Sequence, residues 1–430
     1  MLKASRPVAV GLALLAVLAL DAGAQAAPFD AKVRAAVIDS LAARLVQYYV
    51  DADTARLIGQ VLRTQLRDGA YDTLATPARF AEVVTRHLRA INNDRHLGLQ
   101  APAGGRPGVG LSGGATPAQQ NFGLTRVEVL PGNVGYLEIS AFQGAPGHAE
   151  AVASALRVLA GTDALIIDVR RNGGGSGQMS HLVFSHFLPE KPIETIRVVN
   201  RSTGTSSVRQ SMAEVPGPRR TEVPLYVLTS QGTASAAEEF TFVLKNQKRA
   251  TIVGDRTAGA GHMVNGYPLG HGFTARISIT RVTDAGSGLE WEGAGVQPDL
   301  RSVPEQALEL AHATAVRRIA ARTDNAVRRR TLELIAESLD AARNRTVVID
   351  APRLQQLAGI YDEGRSVELR AGRLWLRRRP EVMADELIPL GPDRFAVSGA
   401  QRVSFEQRGN LIVLTLELPD GTRLSYAKQR

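Results

Sequence analysis

Two near-continuous apolar runs, each leading through a glycine-bearing turn into a helical pattern, constrain this chain most. Ala164-Leu165-Ile166-Ile167-Asp168-Val169 runs into Gly173-Gly174-Gly175, and Leu225-Tyr226-Val227-Leu228-Thr229 runs into Gly232-Thr233-Ala234-Ser235. A strand apolar along both faces is one covered on both faces, as in a parallel sheet between helices. Residues 134–139 and 251–253 read as further strands, and 273–282 as an extended segment. Helical periodicity fills 148–160, the stretch through Leu182 and Phe187, and the stretch through Phe240, Val243 and Leu244. This β-α-β-α order predicts an α/β core with a mixed, largely parallel sheet flanked by helices.

The flanks differ from that core. Residues 29–50 and 53–68 have helical periodicity, and Thr76-Pro77 opens a third helix with a cap followed by proline at the first position. They define a helical N-terminal domain over 27–100. Residues 101–120, rich in Gly, Pro and Ala, read as a linker to a core spanning 121–302. A helical connector rich in Ala and Arg follows over 303–349. Short alternating runs separated by Gly, Asp and Asn turns make 350–430 an all-β C-terminal module.

Residues 1–26 read as a signal peptide: Lys3 and Arg6, an apolar run over 8–20, then Ala24-Gln25-Ala26 as a small-x-small cleavage signal before Ala27. That implies an exported protein, secreted into a bacterial periplasm, with no integral membrane segment after cleavage. The 430 residues hold no cysteine, which excludes disulfides, thiolate metal ligands, a lipid-modified cysteine and a cysteine nucleophile. The net charge of +9 is concentrated in arginine clusters at 317–330 and 373–379. Aromatics are only 5% and form no stacking platform beside them, so these clusters read as solvated faces and no nucleic-acid partner is expected. Oligomeric state is not set by any of this.

Ser235 falls where a strand turns into a helix. Unpaired N–H groups there attract negative charge, and the N–H of Ala236 lies beside any oxyanion formed at the serine. On this stretch alone the alternative is a helix cap, by Thr233 or Ser235. A Gly-x-Ser-x-Gly elbow is absent, and the one Ser-x-x-Lys, Ser425 to Lys428, lies at the chain's end. The glycine cluster 173–177 lacks the Lys-Ser/Thr of a nucleotide loop, and no histidine pair has metal-ligand spacing with an acid partner. The expectation is no cofactor and no metal.

Five segments carry a family resemblance. Asp168-Val169-Arg170-Arg171-Asn172-Gly173-Gly174-Gly175 resembles the Asp-x-Arg-x-Asn-x-Gly-Gly signature of the tail-specific (C-terminal-processing) serine peptidases. Gly232 to Glu238 resembles their nucleophile segment, and Val253 to Gly261 the segment after it. Glu292-Gly293-Ala294-Gly295-Val296-Gln297-Pro298-Asp299 resembles their Glu-Gly-x-Gly-Val-x-Pro-Asp ending, and Asn93-Asp94-Arg95-His96 their Asp-x-His element. Two departures choose the branch. The lysine of the processing branch's Gly-Lys-Gly is absent from Gly259-Ala260-Gly261, and the short stretch from His96 to Asn121 is too small for a PDZ domain. Both point to the branch similar to the tricorn core and the interphotoreceptor retinoid-binding protein modules, on a crotonase-like core.

The resemblance implies Ser235 as nucleophile, His96 as general base, Glu292 as orienting acid, and an oxyanion hole from Ala236 with Gly174 or Gly175. Arg95 stands where a tricorn-like site has the serine that links histidine to glutamate. That leaves open a different contact for Glu292, or Asp94 as the group orienting His96. His262 and His271 follow the lost lysine and are alternative bases. Asp168 and Arg170 read as holding the glycine loop, and Glu238 as complementing the helix dipole. The implied function is a serine peptidase acting on peptides or unfolded proteins through an acyl-enzyme. The alternative from another class is a non-catalytic protein binding a hydrophobic ligand or peptide on the same fold.

Overall fold

The computed structural model describes residues 29–102, 116–397 and 400–429. The expected signal peptide and most of the expected linker lie outside the described residues. Three helices open the chain: α1 (Ala31–Tyr48), α2 (Ala52–Arg67) and α3 (Pro77–Asn92). Each has a side-chain N-cap, from Asp30, Asp51 and Thr76, and Pro77 sits at the start of α3 as expected.

Three sheets follow, built from β1 (Gly98–Gln100), β2 (Leu124–Leu130), β3 (Val134–Ile139), α4 (His148–Val158), β4 (Ala164–Asp168), α5 (Gly177–Ser185), β5 (Glu194–Asn200), β6 (Thr205–Gln210), β7 (Leu225–Thr229), α6 (Ala236–Asn246), β8 (Ala250–Gly254), β9 (Met263–Gly270), β10 (Phe273–Asp284), β11 (Leu300–Arg301), α7 (Ala307–Ala320), α8 (Ala326–Asn344), α9 (Ala351–Leu357) and eight C-terminal strands. The central sheet has the order β11-β8-β7-β4-β3-β2. All its neighbours are parallel except β2 against β3. The apolar runs are explained by what covers them. Leu165, Ile167, Val227 and Ile252 face α4, α5 and α6, while Ile166, Tyr226, Leu228 and Val253 face α7 and α8. Each large side chain so buried contributes about 1.5–3 kcal/mol.

The second sheet is antiparallel, β1-β10-β5-β6, with β9 also on β10. It joins the N-terminal helices to the core: Leu97, Leu99, Leu269, Phe273, Ala275 and Ile277 share one apolar cluster with α1, α2 and α3. The N-terminal helices thus have no closed core of their own, and the stretch expected to be a connector supplies, in α7 and α8, one whole cover of the central sheet. The third sheet is an eight-stranded antiparallel meander, β12 (Gly359–Tyr361) through β19 (Arg423–Ala427), with its own apolar interior. A bridge from Tyr361 to Lys428 links its first and last strands into a near-barrel.

Candidate active site

β7 leads into the turn 230–235, and α6 begins at Ala236. Ser235 adopts φ 53° and ψ −120°. A non-glycine residue there carries roughly 1–3 kcal/mol of strain and persists only where its surroundings enforce it. The surroundings do so here. Ser235 N–H donates to Glu238 Oε2 at 2.9 Å, Ala234 N–H to Asn172 O at 3.0 Å, and Ala258 N–H to Thr233 O at 2.9 Å. The Thr233 hydroxyl donates to Val169 O at 2.8 Å and accepts from Ser230 N–H at 3.1 Å. Thr233 therefore braces the turn against β4 instead of capping α6.

Glu238 does more than complement a dipole. It is fully buried, and besides Ser235 N–H its carboxylate accepts from Thr257 Oγ1 at 2.5 Å, Gly259 N–H at 2.6 Å and Ala260 N–H at 2.7 Å. Burial pushes its pKa above the ordinary carboxylate value, against the pull of these four donors. One side chain thus fixes both the serine turn and the segment that replaces Gly-Lys-Gly.

The glycine loop presses on the same turn. A Cβ at Gly174 would stand 2.8 Å from Ala234 O and 2.9 Å from Ser235 Cβ, at φ +107°. Asn172 shapes the loop: its Oδ1 accepts from Gly174 N–H at 2.9 Å and its Nδ2 donates to Ile139 O at 3.0 Å. The Gly174 N–H is thereby engaged, and of these two glycines it is Gly175 that lines the cavity with Ser235 and Ala236. Asp168 and Arg170 are structural. Asp168 Oδ2 accepts from Tyr136 OH at 2.7 Å and from Arg170 Nη2 at 2.6 Å, and Arg170 reaches Pro304 O.

Ser235, His96 and His262 line one cavity of about 350 Å³, with Arg209, Glu239 and Trp291 among its walls. His96 is only 8% exposed, and its Nδ1 has no hydrogen-bond partner. Burial lowers its pKa to about 4, so the ring is neutral at physiological pH. His262 stands differently. Its Nδ1 is 3.5 Å from Asp94 Oδ2 and 3.6 Å from Glu292 Oε2. Glu292 Oε2 also accepts from Gly261 N–H at 2.6 Å and His262 N–H at 2.9 Å. Burial first, and then the Asp94 charge, lift the Glu292 pKa to about 7. Asp94 is 1% exposed. Its Oδ2 accepts from Tyr49 OH at 3.0 Å, and its Oδ1 from the His96 backbone N–H at 2.9 Å. Burial works against its ionisation, but bonds from donors that include His262 and His96 N–H outweigh it and lower the pKa to about 2.

The structure therefore gathers Ser235, Ala236, Gly175 and His96 around one cavity, while Glu292 engages His262. Among the described residues no hydrogen bond joins Glu292 to the His96 ring. Asp94 holds the His96 main chain and the His262 ring. Sequence reasoning missed Glu238 as the brace, Asp94 as a partner of His262, and Glu239 as a buried cavity wall. The signal for the glutamates was present as two consecutive acids in the first turn of a largely apolar helix.

Residues 133–302 match the model of peptidase family S41. A carboxyl-terminal-processing protease of Synechocystis sp. is 32% identical over 198 residues, covering 43% of this chain and 44% of that protein. The carboxy-terminal-processing protease of Bartonella bacilliformis is 30% identical over 183 residues, covering 42% and 40%. The chain thus spans less than half the length of these curated relatives. The photosystem II D1 C-terminal processing protease superposes at a TM-score of 0.42 with 18% identity, over 63% of this chain and 93% of that one, a likeness too low to carry weight. Residues 133–302 are thus similar to the core of peptidase family S41. The resemblance to the tail-specific peptidases is thereby borne out, through peptidase family S41, over the matched core.

Proposed function

We propose that this protein is an exported serine peptidase that cleaves peptides or unfolded proteins through an acyl-enzyme, with Ser235 as nucleophile. One observation carries the reading: Ser235 is held at a strained φ of 53° at the start of α6, in a cavity shared with two buried histidines and a glycine loop. Strain held in place at a cleft residue marks a position under functional constraint.

Two assignments of the base follow. The family motif favours His96 with Glu292 behind it. The geometry favours His262, because Glu292 and Asp94 both approach its Nδ1. An Nδ1–H directed at those carboxylates leaves Nε2 as the proton acceptor, and the carboxylates stabilise the imidazolium that forms. His262 is the base in our reading, with Asp94 and Glu292 orienting it; His96 remains the second reading on its place in the cavity wall.

The serine proton passes to the imidazole as Oγ bonds the scissile carbonyl carbon. The oxyanion takes the N–H groups of Ala236 and Gly175. The C–N bond breaks as the imidazolium returns its proton to the leaving amine, and water repeats the sequence to free the acid. The absence of a PDZ domain, the likeness to the tricorn-like branch and an extended-chain substrate belong to this proposal, as does export. Among the described residues no helix is long and apolar enough to cross a membrane.

Labelling by a fluorophosphonate probe tests the reading. It is expected in the wild type and lost in Ser235→Ala. Loss in His262→Ala with retention in His96→Ala supports His262, and the reverse pattern assigns the base to His96. A folded wild type that takes no label favours the binding protein of the same fold.

A further inference from the structure

Asp94, His262 and Glu292 each offer a ligand atom, and these three atoms lie within 4.8 Å of one another. Two of the edges, 3.5 Å and 3.6 Å from His262 Nδ1, are close to the edge of about 3.3 Å set by a tetrahedron with zinc-to-ligand bonds near 2.0 Å. The donor set, one imidazole and two carboxylates, suits a zinc-class divalent cation. Among the described residues neither carboxylate has a lysine or arginine ion partner; the His262 ring is the nitrogen group that approaches both. Two further polar atoms beside the cluster are unsatisfied. Glu292 Oε1 is buried with no hydrogen-bond partner, and so is Nδ1 of His96, a residue more than nine-tenths buried whose backbone N–H is held by Asp94.

We infer that Asp94, His262 and Glu292 form a binding site for a zinc-class divalent cation, and that occupancy switches the serine chemistry off. The inhibitory half rests on the reading of His262 as base. The neutral imidazole carries one proton. With Nδ1–H directed at the carboxylates, Nε2 holds the free electron pair. A cation bonded to Nδ1 takes the other electron pair and leaves the ring's proton on Nε2, where it blocks acceptance of the serine proton. No atom is lost in the exchange, since the ring moves from one neutral tautomer to the other. The same two carboxylates that orient the base thus favour the cation that disables it. The reactive serine is not a ligand, so metal binding and serine chemistry are separable by experiment.

The test is calorimetric titration of zinc into the untagged, chelator-stripped protein, paired with fluorophosphonate labelling with and without zinc. One zinc per chain is expected. Its affinity should fall by at least about tenfold in Asp94→Asn and in Glu292→Gln, since loss of even an outer hydrogen bond to a ligand costs that much. It should be unchanged in Ser235→Ala and in His271→Ala, whose exposed ring reports on adventitious binding. Zinc should abolish labelling and a chelator should restore it. Absence of binding overturns the site, as does binding that is unchanged in both carboxylate variants while circular dichroism shows them folded. Binding that leaves labelling intact overturns the switch. A protein that takes no label before zinc is added overturns the serine reading instead, and the calorimetry still decides the metal site.

Discussion

At Ser235 the local backbone preference loses to its surroundings. A left-handed φ at a non-glycine residue is unfavourable, yet Glu238, Asn172 and the Ala258 amide hold it there. Ser235→Gly relieves the strain and is expected to raise stability by about 1 kcal/mol while abolishing probe labelling. A denaturant melt in which the glycine variant is less stable contradicts the strain account. Glu239, the next acid along, is buried in the cavity wall with Oε1 unpartnered and Arg209 Nη1 3.8 Å away. Burial raises its pKa from 4.5 to about 7, with the Arg209 charge pulling the other way. Between those values the folded protein holds a proton that the unfolded chain has released, so stability falls as pH rises through the window. The full cost, of order 3 kcal/mol, is present above it. Glu239→Gln is expected to flatten that fall in an unfolding series from pH 4.5 to 8, and an unchanged slope would refute the assignment.

At the scale of elements, the glycine loop and the serine turn form one unit, because β4 and β7 are neighbouring parallel strands whose ends deliver both. Gly175 sits at φ +126°, and a Cβ there would fall 2.2 Å from Phe142 O. Gly175→Ala must shift the loop off Phe142 and so disturb its fit beside Ser235. It is expected to lose at least about 2 kcal/mol of stability and most of the labelling; native labelling in that variant would mean the loop is not part of the oxyanion frame. This unit was legible in the sequence, since both strands are apolar almost to their ends and both turns carry glycines. The antiparallel sheet was less so. β6 is an edge strand reading Thr-Ser-Ser-Val-Arg-Gln, largely exposed, and shows no apolar alternation. β9 contains a proline and two glycines, which read as loop.

Across the whole molecule, the site is assembled from distant parts. The N-terminal helices bring Asp94 and His96 against β10 through Leu97 and Leu99, the core supplies Ser235, and the segment before β9 supplies His262. Ser235, His96, Asp94, His262 and Glu292 were all singled out from the sequence, but the cavity walls Arg209, Glu239 and Trp291 were not, nor was the pairing of Glu292 with His262. Matching motifs placed Glu292 with His96, whereas the backbone amides of Gly261 and His262 draw the Glu292 carboxylate toward the other histidine. That choice is made by main-chain geometry, which motif spacing does not encode. The arginine clusters likewise acquire partners only in three dimensions: Arg317 pairs with Asp340, Arg328 with Asp163, Arg377 with Glu368 and Arg378 with Asp385. Outside the clusters, Arg402 of the C-terminal sheet pairs with Glu337 of α8 and ties that module to the core.

Fluorophosphonate labelling of the wild type beside Ser235→Ala, His262→Ala and His96→Ala bears most directly on the central claim, an activated serine served by a carboxylate-held histidine. The account predicts strong labelling of the wild type, none of Ser235→Ala or His262→Ala, and substantial labelling of His96→Ala. Equal labelling of wild type and His262→Ala, or none of a folded wild type, would contradict it.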